Sequence, residues 1–208
     1  MHCAVIDPAV ATAELECFNQ LVHHSPIKLS YHLPALFGMN SLKRVSADLS
    51  SIIILGSRSS VHDKLPWQDE LADWISPHLR KGVPTLGICF GHQFLAHLYG
   101  AKVEYLHKDK RKAQGFRKVS FKGSRLWPDG QGELFGSHCE KVSNVPTGFR
   151  QIATCEVAQV EGLEHESLPI FSLQSHPEAV GGFLGNDQNA SRFAYGHLLM
   201  KTFLSRKA

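Results

Sequence analysis

The chain has 208 residues, of which 43% are hydrophobic and 20% are charged, and its formal net charge is +3. This length and composition predict one globular domain with a sizeable core, and they exclude a disordered or fibrous chain. The weak positive charge is spread along the sequence, which argues against the dense basic surface that nucleic-acid binding requires. The one basic cluster, residues 108–112 with Arg117 and Lys118, is predicted to be a solvent-exposed loop face.

The five cysteines are widely spaced and include no Cys-x-x-Cys pair, which argues against a zinc site or a dithiol redox centre. No apolar run approaches the length of about 18 residues that a membrane-spanning helix needs. The N-terminus also lacks a basic and then apolar leader. We therefore expect a cytoplasmic protein that holds neither a metal ion nor a cofactor.

The first half of the chain alternates between predicted strands and helices. Short apolar runs predict strands, and apolar residues at helical spacing predict helices between them. This alternation is typical of a doubly wound, mostly parallel α/β sheet, whose active sites gather at the carboxyl ends of the strands. The predicted strands are residues 2–7, 28–33, 51–55 and 83–88; the predicted helices are residues 11–24, 66–81 with a kink or restart at Pro77, and 90–99.

The second half is richer in short alternating runs that are separated by Gly, Pro and polar turns. These runs predict a β-rich extension with antiparallel pairing. No linker or composition shift marks a second domain, so residues 1–208 are expected to form one domain. The predicted strands are residues 101–106, 116–121, 133–136, 150–156, 157–162 and 169–174, and an amphipathic helix is predicted for residues 190–204.

Cys89 lies between Gly87 and Gly91, where an apolar strand is predicted to turn into a helix. Such a corner strains the backbone of its central residue, and the two glycines let strand and helix approach closely. Free N–H groups at the start of the helix favour a thiolate and can hold a developing oxyanion. The pattern indicates a nucleophilic cysteine, and its alternative interpretation is a buried structural cysteine.

A cysteine nucleophile needs a base, and the base needs a third group that orients it. Of the thirteen histidines, His176 is distinguished because it ends an apolar strand and lies two residues before Glu178. In an extended segment, residues two apart face the same way, so Glu178 can reach one ring nitrogen of His176 while the other faces Cys89. His92 is nearer to Cys89 in sequence, but its ring is expected to pack or hydrogen-bond within the helix.

Residues 87–93 (GICFGHQ) and 174–178 (QSHPE) together resemble the signature motifs of the class I, or triad, glutamine amidotransferases. Residues 137–142 (SHCEKV) are similar to a Ser-His-Gly-Asp-Lys-Val stretch in the amidotransferase domain of GMP synthetase. The resemblance covers nearly the whole chain, from the strand at 51–55 to the final helix. It implies a flavodoxin-like fold and hydrolysis of the glutamine side-chain amide through a γ-glutamyl thioester, with release of ammonia.

The resemblance also implies roles for individual residues. Cys89 would be the nucleophile, His176 the general base and then acid, and Glu178 the orienting carboxylate. The family usually has Gly-Gly-Pro where this chain has Gly-Ser-Arg at residues 56–58, and Cys139 replaces a glycine near the substrate pocket. The other implied positions are the backbone N–H groups of Ser57 and Phe90 as the oxyanion hole, and Gly56, Gln93, Ser137 and His138 as substrate contacts.

Three functions stay open on the sequence alone. The first is a stand-alone hydrolase of glutamine or another γ-glutamyl compound, because residues 56–57 and 116–121 look like the self-sufficient γ-glutamyl peptidases of the same superfamily. The second is an ammonia-donating subunit that docks on a separate synthetase. The third is a catalytically silent binding module, which the complete Cys-His-Glu set disfavours. In each case the expected ligand is a small molecule, with no role for nucleic acid or a membrane.

Overall fold

The computed structural model describes residues 1–45, 49–184 and 190–206, in which eleven strands and six α-helices are found. Two short 3₁₀ helices, Gly181–Leu184 and Ala190–Phe193, come before the last α-helix. The strands are β1 His2–Ile6, β2 Lys28–His32, β3 Leu49–Ile54, β4 Thr85–Ile88, β5 Val103–Tyr105, β6 Ala113–Phe121, β7 Gly130–His138, β8 Glu140–Val142, β9 Phe149–Thr154, β10 Gly162–His165 and β11 Ile170–Leu173. The helices are α1 Leu15–His24, α2 Pro34–Phe37, α3 Asn40–Lys43, α4 Pro66–Arg80, α5 Phe90–Leu98 and α6 Ala194–Leu204.

The main sheet has a parallel part and an antiparallel part. Its strand order is β2-β1-β3-β4-β11-β10-β9-β6-β7. The first five strands in this order are parallel, and the last four are each antiparallel to their neighbours. The predicted doubly wound α/β fold with an antiparallel extension is thus confirmed, and the extension continues the same sheet. Strands β5 and β8 form a separate antiparallel pair.

Helices cover both faces of the parallel part, because its central strands are apolar on both sides. Ile52, Ile53 and Ile54 of β3 are all fully buried, as expected of a strand inside a parallel sheet. Ile52 and Ile54 belong to a core that includes residues of α4 and α5. Ile53 belongs to a second core on the other face, with Leu21 of α1 and Phe203 of α6.

The sheet curls so that its edge strand β7 reaches the segment after β11. Phe135 of β7 forms an isolated antiparallel bridge with His176, in which the His176 N–H donates to the Phe135 carbonyl at 2.7 Å. The antiparallel extension therefore comes to the carboxyl ends of β4 and β11. This is the edge of the sheet where the candidate catalytic residues lie.

Several predicted boundaries differ from the structure. The first helix begins at Leu15 rather than residue 11, because the Asp7 carboxylate accepts hydrogen bonds from the N–H groups of Ala9 and Glu14 and holds the intervening loop. The strand predicted at 157–162 is wrong: residues 156–161 are bends and irregular backbone, and β10 begins at Gly162. Pro77 does not restart α4, which continues to Arg80.

The short elements α2, α3 and β8 carry no strong periodic pattern and were not predicted. The last helix was predicted from residue 190, but its first turn is a 3₁₀ helix and α6 starts at Ala194. Across the three described ranges, no helix is both long and apolar enough to cross a membrane.

Candidate active site

Cys89 lies at the corner between β4 and α5 with φ 52° and ψ −100°. A positive φ is rare for a residue with a side chain, so the surrounding packing must hold this conformation. The flanking glycines allow that packing: a Cβ at Gly87 would lie 2.4 Å from the Gly91 carbonyl oxygen, and a Cβ at Gly91 would lie 2.3 Å from the Ile54 carbonyl oxygen. The predicted elbow and the reason for its glycines are confirmed.

The imidazole of His176 lies between Cys89 and Glu178. Its Nδ1 is 2.8 Å from Glu178 Oε1, and the ring also forms a side-chain hydrogen bond with Cys89. Gly56 makes room for the ring, because a Cβ there would lie 2.8 Å from His176 Cε1 and 3.5 Å from Cys89 Cβ. The structure thus brings together the three residues of the predicted triad.

The contact between His176 and Glu178 forms in a turn, whereas an extended segment was expected. The Ala179 N–H donates to the His176 carbonyl at 3.3 Å, which closes the turn. Pro177 lies inside it, and Glu178 is 2% exposed. The predicted contact is therefore correct, although the backbone geometry used to predict it is wrong.

The charges in this group favour the protonated form of the His176 imidazole. Burial alone lowers the pKa of His176, but the Glu178 carboxylate and the Cys89 thiolate raise it well above 6.5. Because Nδ1 faces Glu178, Nε2 is the nitrogen available to Cys89. His176 can then hold a proton at the position where a leaving amine would need it.

Two backbone N–H groups beside Cys89 are available for an oxyanion. In the described part of the chain, neither the Phe90 N–H nor the Ser57 N–H has a hydrogen-bond acceptor. Ser57 does not adopt a positive φ. Its hydroxyl donates to the Pro8 carbonyl at 2.7 Å and accepts from the Ser59 N–H at 3.1 Å. These bonds hold the loop after β3 in place, so its N–H keeps a fixed direction.

A cavity of about 370 Å³ opens above Cys89. It lies at the carboxyl ends of β1, β3, β4 and β11, as expected for a parallel sheet. The residues that line it are Ala9, Val10, Ala11, Thr12, Glu14, Gly56, Ser57, Arg58, Cys89, Lys112, Gln114, Ser137, His176, Glu178 and Gly182.

Several of these residues were missed in the sequence. Glu14 belongs to the loop after β1 that was predicted as helix, Arg58 belongs to the loop after β3, and Lys112 lies in the loop just before β6. Burial and the carboxylates of Asp7 and Glu178 raise the pKa of Glu14, while His176 and Arg58 act in the opposite direction. The available signal was the position of Asp7 directly after β1, because loops at that edge of a sheet carry ligand contacts.

Of the four predicted substrate contacts, two line the cavity and two do not. Gly56 and Ser137 line the cavity. Gln93 is 4% exposed, and its Nε2 donates to the Glu140 carbonyl at 3.0 Å. Both ring nitrogens of His138 are bonded inside the protein, to Arg117 and to the Glu140 carbonyl. The side chains of Gln93 and His138 are thus not among the groups that line the cavity.

Three other residues singled out in the sequence lie away from the cavity wall. His92 is fully buried, its Nδ1 is 2.8 Å from Ser172 Oγ, and burial lowers its pKa to about 3. Cys139 is half-buried, and its carbonyl accepts the Leu106 N–H. Arg117 was expected on an exposed face but is 5% exposed, because its side chain lies across the glycine residue Gly136 of β7.

Comparison with known proteins places this fold and site in one family. The family model of class I glutamine amidotransferases matches residues 18–193. The chain is 30% identical over 119 residues to a glutamine-hydrolysing GMP synthase subunit of Methanocaldococcus jannaschii, a match that covers 52% of this chain and 58% of that protein. It is 34% identical over 134 residues to the GMP synthase of Gibberella zeae, a match that covers 61% of this chain and 23% of that protein.

Solved structures agree on the fold. A glutamine amidotransferase from Thermotoga maritima superimposes with a TM-score of 0.78 at 20% identity, and the match covers 98% of this chain and 97% of that one. One from Methylobacillus flagellatus gives a TM-score of 0.72 at 18% identity, over 97% and 92% of the two chains. The chain spans about a quarter of the length of the Gibberella zeae protein and about three fifths of the length of the Methanocaldococcus jannaschii protein. With a family match over residues 18–193, the chain belongs to the class I glutamine amidotransferases.

Proposed function

We propose that this chain hydrolyses the γ-amide of glutamine, or of a related γ-glutamyl compound, through a thioester on Cys89. The observation that carries the proposal is the strained elbow cysteine in hydrogen-bond contact with the buried His176–Glu178 pair at the floor of a cavity. A cysteine, a base and an orienting carboxylate in this arrangement are what acyl transfer requires.

The first half of the reaction forms the thioester. The Cys89 sulfur attacks the γ-carbonyl carbon, and the resulting oxyanion lies near the N–H groups of Phe90 and Ser57. His176 gives its proton to the departing nitrogen, so the leaving group is ammonia for glutamine and an amine for a γ-glutamyl amide. Glu178 keeps the His176 Nδ1–H directed at its carboxylate, which leaves Nε2 facing the reaction.

The second half removes the acyl group with water. His176, now neutral, takes a proton from a water molecule that attacks the thioester carbonyl, and the Cys89 thiolate leaves. The products are glutamate and the regenerated thiolate–imidazolium pair. The net reaction for glutamine is therefore the consumption of one water and the release of one ammonia.

The charged residues of the cavity suit a zwitterionic substrate. Arg58 and Lys112 line the cavity, and neither has an ion-pair partner among the described residues. The carboxyl group of Glu14 lines the same cavity. Opposite charges of this kind complement an α-carboxylate and an α-ammonium group. We assign Ser137 and Gly56 to the same substrate pocket, while Gln93 and His138 would act from behind it.

Ammonia donation to a separate synthetase is the second candidate. The names of several relatives favour it, since they include glutamine-hydrolysing GMP synthase subunits of Methanocaldococcus jannaschii and Thermococcus kodakarensis. The chemistry at Cys89 is the same in both candidates, and they differ in whether a partner is required. A reducing, cytoplasmic location is part of the proposal, and five free cysteines support it.

The deciding experiment measures ammonia or amine release by the purified chain from glutamine and from a panel of γ-glutamyl dipeptides. Turnover by the wild type and its loss in Cys89→Ala are expected, with Cys155→Ala as a cysteine control outside the cavity lining. Turnover that survives Cys89→Ala would refute the proposed chemistry. Stoichiometric labelling of Cys89 by a glutamine-like electrophile together with negligible turnover would favour the ammonia-donating candidate.

A further inference from the structure

A buried arginine lies behind the cavity wall that carries Ser137. The Arg117 side chain of β6 lies across Gly136 of β7, the residue that pairs with Gly115 in the sheet. A Cβ at Gly136 would lie 2.2 Å from the guanidinium carbon, so only glycine leaves this space. A guanidinium group stays charged in proteins, and its burial is costly unless its N–H groups are used. The contacts of Arg117 therefore show what the buried charge does.

Those contacts fix the tautomer of His138. Arg117 Nη1 donates to His138 Nε2 at 2.7 Å. Since arginine has no acceptor, Nε2 must accept, and the ring proton sits on Nδ1 and is donated to the Glu140 carbonyl at 2.8 Å. Burial and then Arg117 lower the pKa of His138 to about 4, His176 and Lys112 act in the same direction, and the hydrogen bond to the Glu140 carbonyl opposes them. The ring is thus neutral at pH 7.

The same carbonyl connects this group to the catalytic side of the cavity. Glu140 O also accepts a hydrogen bond from Gln93 Nε2 at 3.0 Å, and Gln93 Nε2 donates to Gln174 Oε1 at 3.1 Å. Gln174 lies two residues before His176, whose N–H is bonded to Phe135 of β7. Hydrogen bonds therefore connect both ends of residues 135–140 to the catalytic segment, and Ser137 lies between them.

We propose that Arg117 is a positioning residue for substrate binding: it holds His138 as the Nδ1–H tautomer and so fixes the Ser137 wall of the cavity. The inference rests on the proposed function in one respect, namely that Ser137 contacts a γ-glutamyl substrate. Arg117 does not line the cavity. Its loss therefore affects the binding of glutamine more than the reactivity of the Cys89 thiolate.

The test compares Arg117→Met with Lys118→Met, a matched control because Lys118 is the next residue of β6 and is exposed. KM and kcat are measured with glutamine, and the alkylation of Cys89 by iodoacetamide is followed by mass spectrometry of the peptide that contains Cys89. For Arg117→Met the KM is expected to rise by about 10- to 100-fold, as for the loss of a charge-assisted hydrogen bond, with an unchanged alkylation rate. An unchanged KM would overturn the proposal, and so would an equal loss of glutamine turnover and of Cys89 alkylation.

Two further measurements keep the test decisive if Arg117→Met does not fold. Gly136→Ala keeps the charge but displaces the guanidinium, and it should reproduce the rise in KM. Nitrogen NMR of the His138 ring should show the Nδ1–H tautomer at pH 7 in the wild type and a pKa nearer 6.5 in the Arg117 or Gly136 variant. An unchanged His138 tautomer and pKa in the variant would refute the role of Arg117. If the wild type does not hydrolyse glutamine, the proposed function fails, and the NMR result still decides whether Arg117 controls His138.

Discussion

Adding one methyl group at Gly56 should disable the enzyme by displacing His176. Gly56 follows β3 and has no positive φ, so its backbone accepts alanine without strain. A Cβ there would lie 2.8 Å from His176 Cε1. Carbon atoms in contact are about 3.5–4.0 Å apart, so the imidazole must retreat by about 0.7–1.2 Å.

This displacement sets the expected loss of activity. The ring is held by Glu178 on one side and faces Cys89 on the other, so it cannot retreat from residue 56 without leaving one of these partners. A misplacement of about 1 Å at a reacting group can cost about 100-fold in rate. We expect Gly56→Ala to lower kcat for glutamine by about 10- to 100-fold and to slow the alkylation of Cys89 at neutral pH.

The assay is glutamine-dependent ammonia release, together with thermal unfolding of the same samples. Gly100→Ala is the control, because Gly100 has φ 85° and open space around its Cα. Alanine at that position should lower the stability by about 1 kcal/mol and leave kcat unchanged. A Gly56→Ala enzyme with wild-type kcat and wild-type alkylation of Cys89 would show that the His176 ring does not occupy the described position.

The remaining predictions concern charge. Glu178→Gln removes the carboxylate that raises the His176 pKa, so the imidazolium loses its proton at lower pH, and kcat should fall by about 100-fold or more; a pH–rate profile like that of the wild type would contradict this. Burial lowers the His92 pKa to about 3, so this residue stabilises the fold above pH 6.5 and the contribution is lost as the pH falls towards 3. Urea unfolding at pH 7 and at pH 4.5 measures how far the free energy of unfolding falls between these two pH values. This fall should be smaller by about 2–3 kcal/mol in His92→Asn than in the wild type, and an equal fall in both proteins would refute the lowered pKa of His92. Arg58→Ala should raise the KM for glutamine by a few-fold at low salt and by less at high salt. A KM that changes neither with the substitution nor with salt would show that Arg58 does not contact the substrate.

The elbow and the triad contact could be predicted because their requirements are local in the sequence. Gly87 and Gly91 flank Cys89 directly, and the steric reason for them is a property of any strand-to-helix corner. Glu178 lies two residues from His176, so several backbone conformations allow the two side chains to meet. The turn that forms here is one of them, which explains a correct contact derived from the wrong geometry.

The charged cavity wall could not be predicted, because it depends on segments that are far apart in the chain. Glu14, Arg58 and Lys112 come from three loops. Glu14 and Lys112 belong to no motif, and Arg58 stands where the family motif usually has proline. Arg117 lies in a run of basic residues, and its burial depends on the register of β6 and β7 that places its guanidinium across Gly136. That register is a property of the folded sheet, since a shift by one residue would turn the same side chain towards solvent.

The bridge between Phe135 and His176 makes catalysis depend on the completion of the fold. The elbow of Cys89 is held by β3 and by the Leu173 carbonyl of β11, whereas the backbone of its base is also bonded to β7, the edge strand of the antiparallel part. Opening of β6 and β7 would remove this bond from the His176 backbone while the nucleophile kept its elbow. A nascent or partly opened chain would then carry a correctly shaped cysteine with a less well aligned base. Under the proposed function, glutamine hydrolysis would report on closure of the whole sheet.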